Sequence, residues 1–292
     1  MQHFSVGPNA YFALFVLLPD TFGSSPEINH PNALLFMRLS IRTLAALGLT
    51  AVLLAGLAAP VLSEKALPEK IVVAAFSEAL PGQSLPEGFE TLSLDDDGPP
   101  TEYTVVRADR LGGTPVMKAV ARNAATGLVK RRRIDPSEYP VLKWSWKVEH
   151  VLEQGDATKK SGDDYPARIY VTFDYDPSKL GFFEKIEYRS LRAMGYDDVP
   201  LRALNYVWAS QTPVGKIVPN PYTDWVMTVP VESGCAHCGE WRTARRNVRA
   251  DYRAAFGEEP PPVSGVAILT DTDNTGETAT AYYGDIQFVE DE

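Results

Sequence analysis

The chain reads as all-β: an antiparallel β-sandwich or jelly roll with two short helices inserted between strands. Three observations predict this. Short runs alternate apolar and polar side chains, the period of a half-buried strand. Clusters of Gly, Pro and Asp separate them, and the 292 residues include 23 Pro and 21 Gly, as a fold of many turns needs. Helical spacing is confined to two segments, with no strand–helix–strand alternation between them.

Residues 71–76 form the first expected strand. A loop through Pro81, Pro86 and Gly88 follows and carries the run Asp95, Asp96 and Asp97, read as solvated. Residues 101–108 and 116–122 are the next strands. Residues 142–148 (LKWSWKV) put Leu142, Trp144, Trp146 and Val148 on one face and Lys143, Ser145 and Lys147 on the other. Residues 167–174 put Ala167, Ile169, Val171 and Phe173 on one side and Arg168, Tyr170, Thr172 and Asp174 on the other. Strands at 204–209, 225–231 and 263–270 follow, and 278–289 closes the chain with an irregularity at Gly284. The two helices are expected at 182–194 and at 241–256, where Ala244, Val248, Tyr252 and Ala255 share a face and Gly257 ends the run.

Composition narrows the function classes. A chain 45% hydrophobic and 23% charged is globular, not disordered. A net charge of -10 and no dominant basic stripe disfavour nucleic acid as a partner. From Met37, Arg38 and Arg42 precede an apolar stretch at 44–62, and small or medium residues lead to Glu64, the anatomy of a secretory signal. A transmembrane anchor is the competing reading; Pro60 and the Ala-rich composition favour cleavage. Residues 1–36 contain no Lys or Arg and are read as upstream over-translation, expected to be disordered. The expected plan is a signal peptide at 37–63 and a single β-sandwich domain at 64–292, periplasmic or secreted, with no membrane span after cleavage.

Several stretches in order carry a family resemblance: LKWSWKV (142–148), SGDDYPARIYVTF (161–173), LNYVWAS (204–210), NPYT (220–223), RNVRADYRAAFG (246–257), GVAILTDTDNTGE (265–277) and AYYGDIQF (281–288). Together they resemble a bacterial exported family, domain of unknown function 3047. At the level of fold alone, the closing AYYGDIQF and the opening strand with its Pro/Gly loop are similar to galactose-binding-like jelly rolls and carbohydrate-binding modules. Neither resemblance supplies a functional residue, because fold does not carry function.

Candidate sites come from the residues themselves. Asp271, Asp273 and Asn274, ahead of Gly276, pack hard oxygen atoms into a tight turn suited to calcium. Tyr282 stands where an EF-hand loop needs its bidentate Glu, so this is no EF-hand, and a plain strand-to-strand turn competes. The adjacent Asp163 and Asp164 could bind a cation or pair with Arg168; a solvated turn is the competing reading. Arg168 and Tyr170 share one strand face, and Tyr206 and Trp208 share another. Were these faces adjacent, they would form an aromatic platform with a cationic fork, which suits sugars; the competing reading packs Tyr206 and Trp208 in the core. Cys235 and Cys238 read as a local disulfide, with metal or redox chemistry the alternative.

No nucleophile, zinc or dinucleotide motif stands in a supporting context, and only His150 and His237 follow the leader. The expected function is an exported, non-catalytic module binding a glycan or other polyhydroxylated ligand. One alternative is a carboxylate-dependent glycan hydrolase or lyase. The other is an envelope assembly protein with a protein partner, whose identity the sequence does not give.

Overall fold

The computed structural model describes residues 69–94, 98–109, 111–193 and 200–291. The expected leader at 37–63, the residues before it and Asp95–Asp97 lie outside these. In chain order the strands are β1 (Lys70–Ala74), β2 (Glu90–Ser93), β3 (Glu102–Arg107), β4 (Pro115–Arg122), β5 (Ala125–Ile134), β6 (Val141–Val148) and β7 (Arg168–Phe173). Helix α1 (Phe182–Ala193) precedes β8 (Ala203–Ala209), β9 (Val218–Pro219), β10 (Val226–Ser233) and β11 (Arg242–Asn247). Helix α2 (Val248–Phe256), β12 (Val263–Asp271) and β13 (Thr278–Val289) complete the described chain.

These strands form two sheets. One runs β11-β6-β13-β4-β3, with β1 also paired to β13; the other runs β2-β5-β12-β7-β8-β10-β9. This is the expected β-sandwich. All neighbours are antiparallel except β8 and β10, which the 210–225 crossover leaves parallel.

The alternation of β6 sets the core. Leu142, Trp144, Trp146 and Val148 are buried, and their rings meet those of β8 across the sandwich. Trp144 lies 5.5 Å from Tyr206 and Trp146 lies 5.9 Å from Trp208, centroid to centroid. Such contacts between large rings dominate a core's energetics.

The expected helix at 241–256 is corrected. Its first half is β11, paired with β6 so that Ala244 lies opposite Trp144. Here the chance to complete a sheet edge outweighs helix propensity. The helix begins only where Asn247 caps it, its side chain accepting from the Ala250 N–H at 2.9 Å. Gly257, in the left-handed region at φ 74°, ends it. Strand β5 was not foreseen, because its exposed Lys130–Arg133 end resembles a loop.

Candidate functional site

Register separates the residues of the expected aromatic platform. On β7, Ile169 and Val171 face the core, so Arg168 and Tyr170 face the other way. In the β7–β8 ladder, Ile169 lies opposite Tyr206, and Arg168 lies opposite Val207. Tyr206 and Trp208 are therefore on the core face, each 0% exposed, and cannot offer a surface to a ligand. Their polar atoms are satisfied inward. The Tyr206 hydroxyl donates to Asp251 at 2.9 Å, and Trp208 Nε1 donates to the Gly234 carbonyl at 3.0 Å.

Arg168 lies at the centre of a buried polar cluster instead. Its guanidinium sits 5.0 Å from the Tyr165 ring and 5.4 Å from the Tyr170 ring. It forms an ion pair with Asp271, and Asp163 Oδ1 lies 3.9 Å away. Asp163 also accepts from Asn220 Nδ2 at 2.8 Å. Asp164 accepts from the Thr275 N–H at 2.6 Å and from Asn274 Nδ2 at 3.0 Å. The Asn274 oxygen in turn accepts from the Tyr222 hydroxyl at 2.8 Å. Three loops, those holding Asp164, Asn220 and Asn274, are thus stitched together at one end of the seven-stranded sheet.

The three carboxylates brought together are Asp164, Asp271 and Asp273, one oxygen of each lying within 4.8 Å of the others. Asp273 is the exception in bonding: both its oxygens are sealed from solvent, and what hydrogen bonding they have is to its own N–H and to the Asp164 carboxyl. Burial, and then the charge of Asp164, push its carboxyl up to about 7. Burial pushes Asp163 up to about 6 against the pull of Arg168. Sequence reading found Asp271 and Asp273 but missed Asp164 as their third member. It also placed Asn274 as a ligand, whereas its oxygen is engaged by Tyr222.

A second locus lies on the outer face of the six-stranded sheet. Tyr282 on β13 is in register with Lys147 on β6 and with Lys118 on β4. Lys118 faces Thr104 on β3, and Trp241 immediately precedes β11 beside Lys147. The result is a row Trp241–Lys147–Tyr282–Lys118–Thr104 across five strand positions. Lys147 Nζ lies 4.2 Å and Lys118 Nζ 5.9 Å from the Tyr282 centroid, and the Trp241 ring is 6.4 Å from it. Lys147 also pairs with Glu149 at 3.1 Å. Trp241, Lys147, Tyr282 and Lys118 of this row line an open groove of about 330 Å³. Next to it on the same face is a hollow of about 510 Å³ lined by Lys143, Ser145, Thr243, Gly284 and Gln287. Gly284 lets Ser145 Oγ occupy this hollow: a Cβ at position 284 would lie 2.2 Å from it and force the hydroxyl to turn away. The sequence signal for this face was the polar side of β6; Trp241 was hidden by its assignment to a helix.

Cys235 and Cys238 are joined in a disulfide, which leaves no thiol for metal or redox chemistry in this state. The loop they close runs into Gly239, whose N–H donates to the Val148 carbonyl at 2.8 Å, and then to Trp241.

Among the described residues, no helix is long and apolar enough to cross a membrane. A family model described as "Protein of unknown function (DUF3047)" matches residues 87–287. No curated protein matches the sequence. Solved structures give distant likenesses. The xyloglucanase domain of NopAA from Sinorhizobium fredii is 7% identical with a TM-score of 0.38, over 73% of this chain and 99% of that one. The family 30 carbohydrate-binding module of a Clostridium thermocellum cellulosomal cellulase is 12% identical with a TM-score of 0.34, over 76% and 98%. The K1 adhesin domain of Lys-gingipain from Porphyromonas gingivalis W83 is 9% identical with a TM-score of 0.33, over 76% and 99%. At these scores the likenesses carry no argument about function.

Proposed function

This chain belongs to the DUF3047 family, and we propose that it is an exported, non-catalytic module binding a glycan or other polyhydroxylated ligand on the outer face of its six-stranded sheet. The observation that carries this reading is the row of Trp241, Lys147, Tyr282 and Lys118 along an open groove. Sugars stack their C–H faces on aromatic rings and give their hydroxyls to polar neighbours. Half-exposed Trp241 and Tyr282 supply the rings, while Ser145, Thr243 and Gln287 supply hydroxyl and amide groups in the adjoining hollow. Export is supported by the leader-like sequence at 37–63 and by the disulfide, which fits an oxidising compartment.

The carboxylate cluster supports a structural rather than a catalytic role. Asp271 is ion-paired and Asp164 is doubly hydrogen-bonded, so both hold loops in place. Calcium at this cluster is supported by the sealed oxygens of Asp273 crowded against the Asp164 carboxyl and opposed by the neighbouring Arg168 charge. A proton on Asp273 is the alternative way to neutralise it.

The experiment is a glycan-array screen of the purified protein, with calcium and with chelator, repeated with Trp241→Ala. A reproducible hit lost in the variant supports the reading. A blank array under both conditions overturns it in favour of a protein partner in the envelope.

A further inference from the structure

We infer that the ligand of this face is an acidic oligosaccharide, one bearing carboxylate or sulfate groups at intervals. This inference rests on the glycan-binding reading of the same groove and adds the charge of the ligand to it.

The chain carries a net charge of -10, so its overall field repels anions. Yet the outer face of the six-stranded sheet gathers Arg107, Lys118, Lys143 and Lys147 along its two hollows. The facing anions are Asp109 beside the groove, Glu149 on Lys147 and Asp285 beyond Gly284. Glu149 neutralises Lys147, while Asp285, which accepts from the Ser77 N–H and hydroxyl, keeps its charge, so Arg107, Lys118 and Lys143 face Asp109 and Asp285 with one positive charge in excess. Among the described residues, no ion pair engages Lys118, Lys143 or Arg107; Arg107 donates only to the Gly113 carbonyl, at 3.2 Å.

Spacing selects an oligomer over a single acid group. Lys118 on β4 and Lys143 on β6 lie on opposite sides of β13, two strand spacings or about 10 Å apart across the sheet and about four residues, or 13 Å, apart along it. No one carboxylate spans such distances, whereas successive acidic sugars do. Between these cations lie the Tyr282 and Trp241 rings, on which the sugar faces stack, and Ser145, Thr243 and Gln287, which meet hydroxyls. A ring platform alone would be indifferent to ligand charge; Lys118 and Lys143, which no ion pair engages among the described residues, confer the preference.

The test is calorimetric titration of the purified protein with an oligogalacturonate, a sulfated heparin-type oligosaccharide and a neutral cello-oligosaccharide. Lys118→Met/Lys143→Met and Trp241→Ala are run beside it, with melting temperature as the control for folding. The expected result is binding of at least one acidic probe, with the neutral probe at least about tenfold weaker. The double lysine variant loses about tenfold in affinity for the acidic probe at unchanged melting temperature. Which acidic probe binds tells carboxylate from sulfate. Equal binding of the neutral probe, lost in Trp241→Ala, overturns the acidic preference and leaves the glycan reading standing. Acidic binding untouched by all three substitutions, or no binding of any probe, overturns both.

Discussion

Arg168 and Asp271 form an ion pair sealed inside the protein, their side chains 3% and 1% exposed. The pair joins β7 to the end of β12 and holds the loops that carry Asp163 and Asp273. Removing one partner of a buried pair strands the other charge, which costs far more than the pair itself is worth. Arg168→Met is therefore expected to destabilise the protein by about 3–5 kcal/mol in urea unfolding at pH 7. Adding Asp271→Asn to that variant should restore part of the loss. A single variant as stable as the parent would show that the cluster is neutralised by something other than Arg168.

Asp273 makes stability depend on pH. Its ordinary value of 3.8 rises to about 7 in the folded protein, so the folded state binds more protons than the unfolded chain between those limits. Stability from this group is complete below about pH 4 and is lost as pH rises through about 7. Asp163, raised to about 6, acts in the same direction but is largely finished by pH 7, so most of the fall from pH 6 to 8 belongs to Asp273. In chelator, the melting temperature should fall across that interval by roughly 3–5 °C, and Asp273→Asn should remove most of the fall. If calcium fills the cluster, adding it at pH 8 restores the parent and leaves the variant unmoved. A flat profile with no response to calcium would dispose of both ways of neutralising Asp273.

Trp208 tests which aromatic residues belong to the core. It is fully buried against Trp146, and its Nε1 is hydrogen-bonded to Gly234. Trp208→Ala should cost about 3–5 kcal/mol through lost contacts and the cavity left behind. Trp241→Ala, at a half-exposed ring, should shift the melting temperature by no more than about 2 °C. The reverse order in a thermal melt would contradict this placement of the two rings.

The sandwich was legible because β6 and β13 each bury one face, and burial writes a period of two into the sequence. The same period told which side chains share a strand face, but not which face meets the core. Trp208 illustrates this: its neighbours along β8 look the same whether the ring packs inward or faces a ligand, and only the register against β7 decides. Asp164 and Asp273 lie 109 positions apart, so their meeting is a fact of loop docking that no local pattern encodes. Trp241 was obscured for a different reason. The Arg-rich stretch after it has good helix propensity, and only the free edge of β6 makes it a strand.

The disulfide is predicted to act on the groove as well as on stability. Closing the short loop between Cys235 and Cys238 contributes about 2 kcal/mol by restricting the unfolded chain. That loop leads directly to Gly239, held at φ 77° with its N–H on the Val148 carbonyl, and two residues later to Trp241. Opening the loop frees this anchor, so Trp241 must be ordered at the moment of binding, which weakens affinity. Cys235→Ser/Cys238→Ser should therefore lose about 2 kcal/mol of stability and a few-fold in affinity for a groove ligand. Reduction of the parent protein with dithiothreitol should reproduce both effects. Lost stability with unchanged affinity would mean that the β6 edge alone positions Trp241.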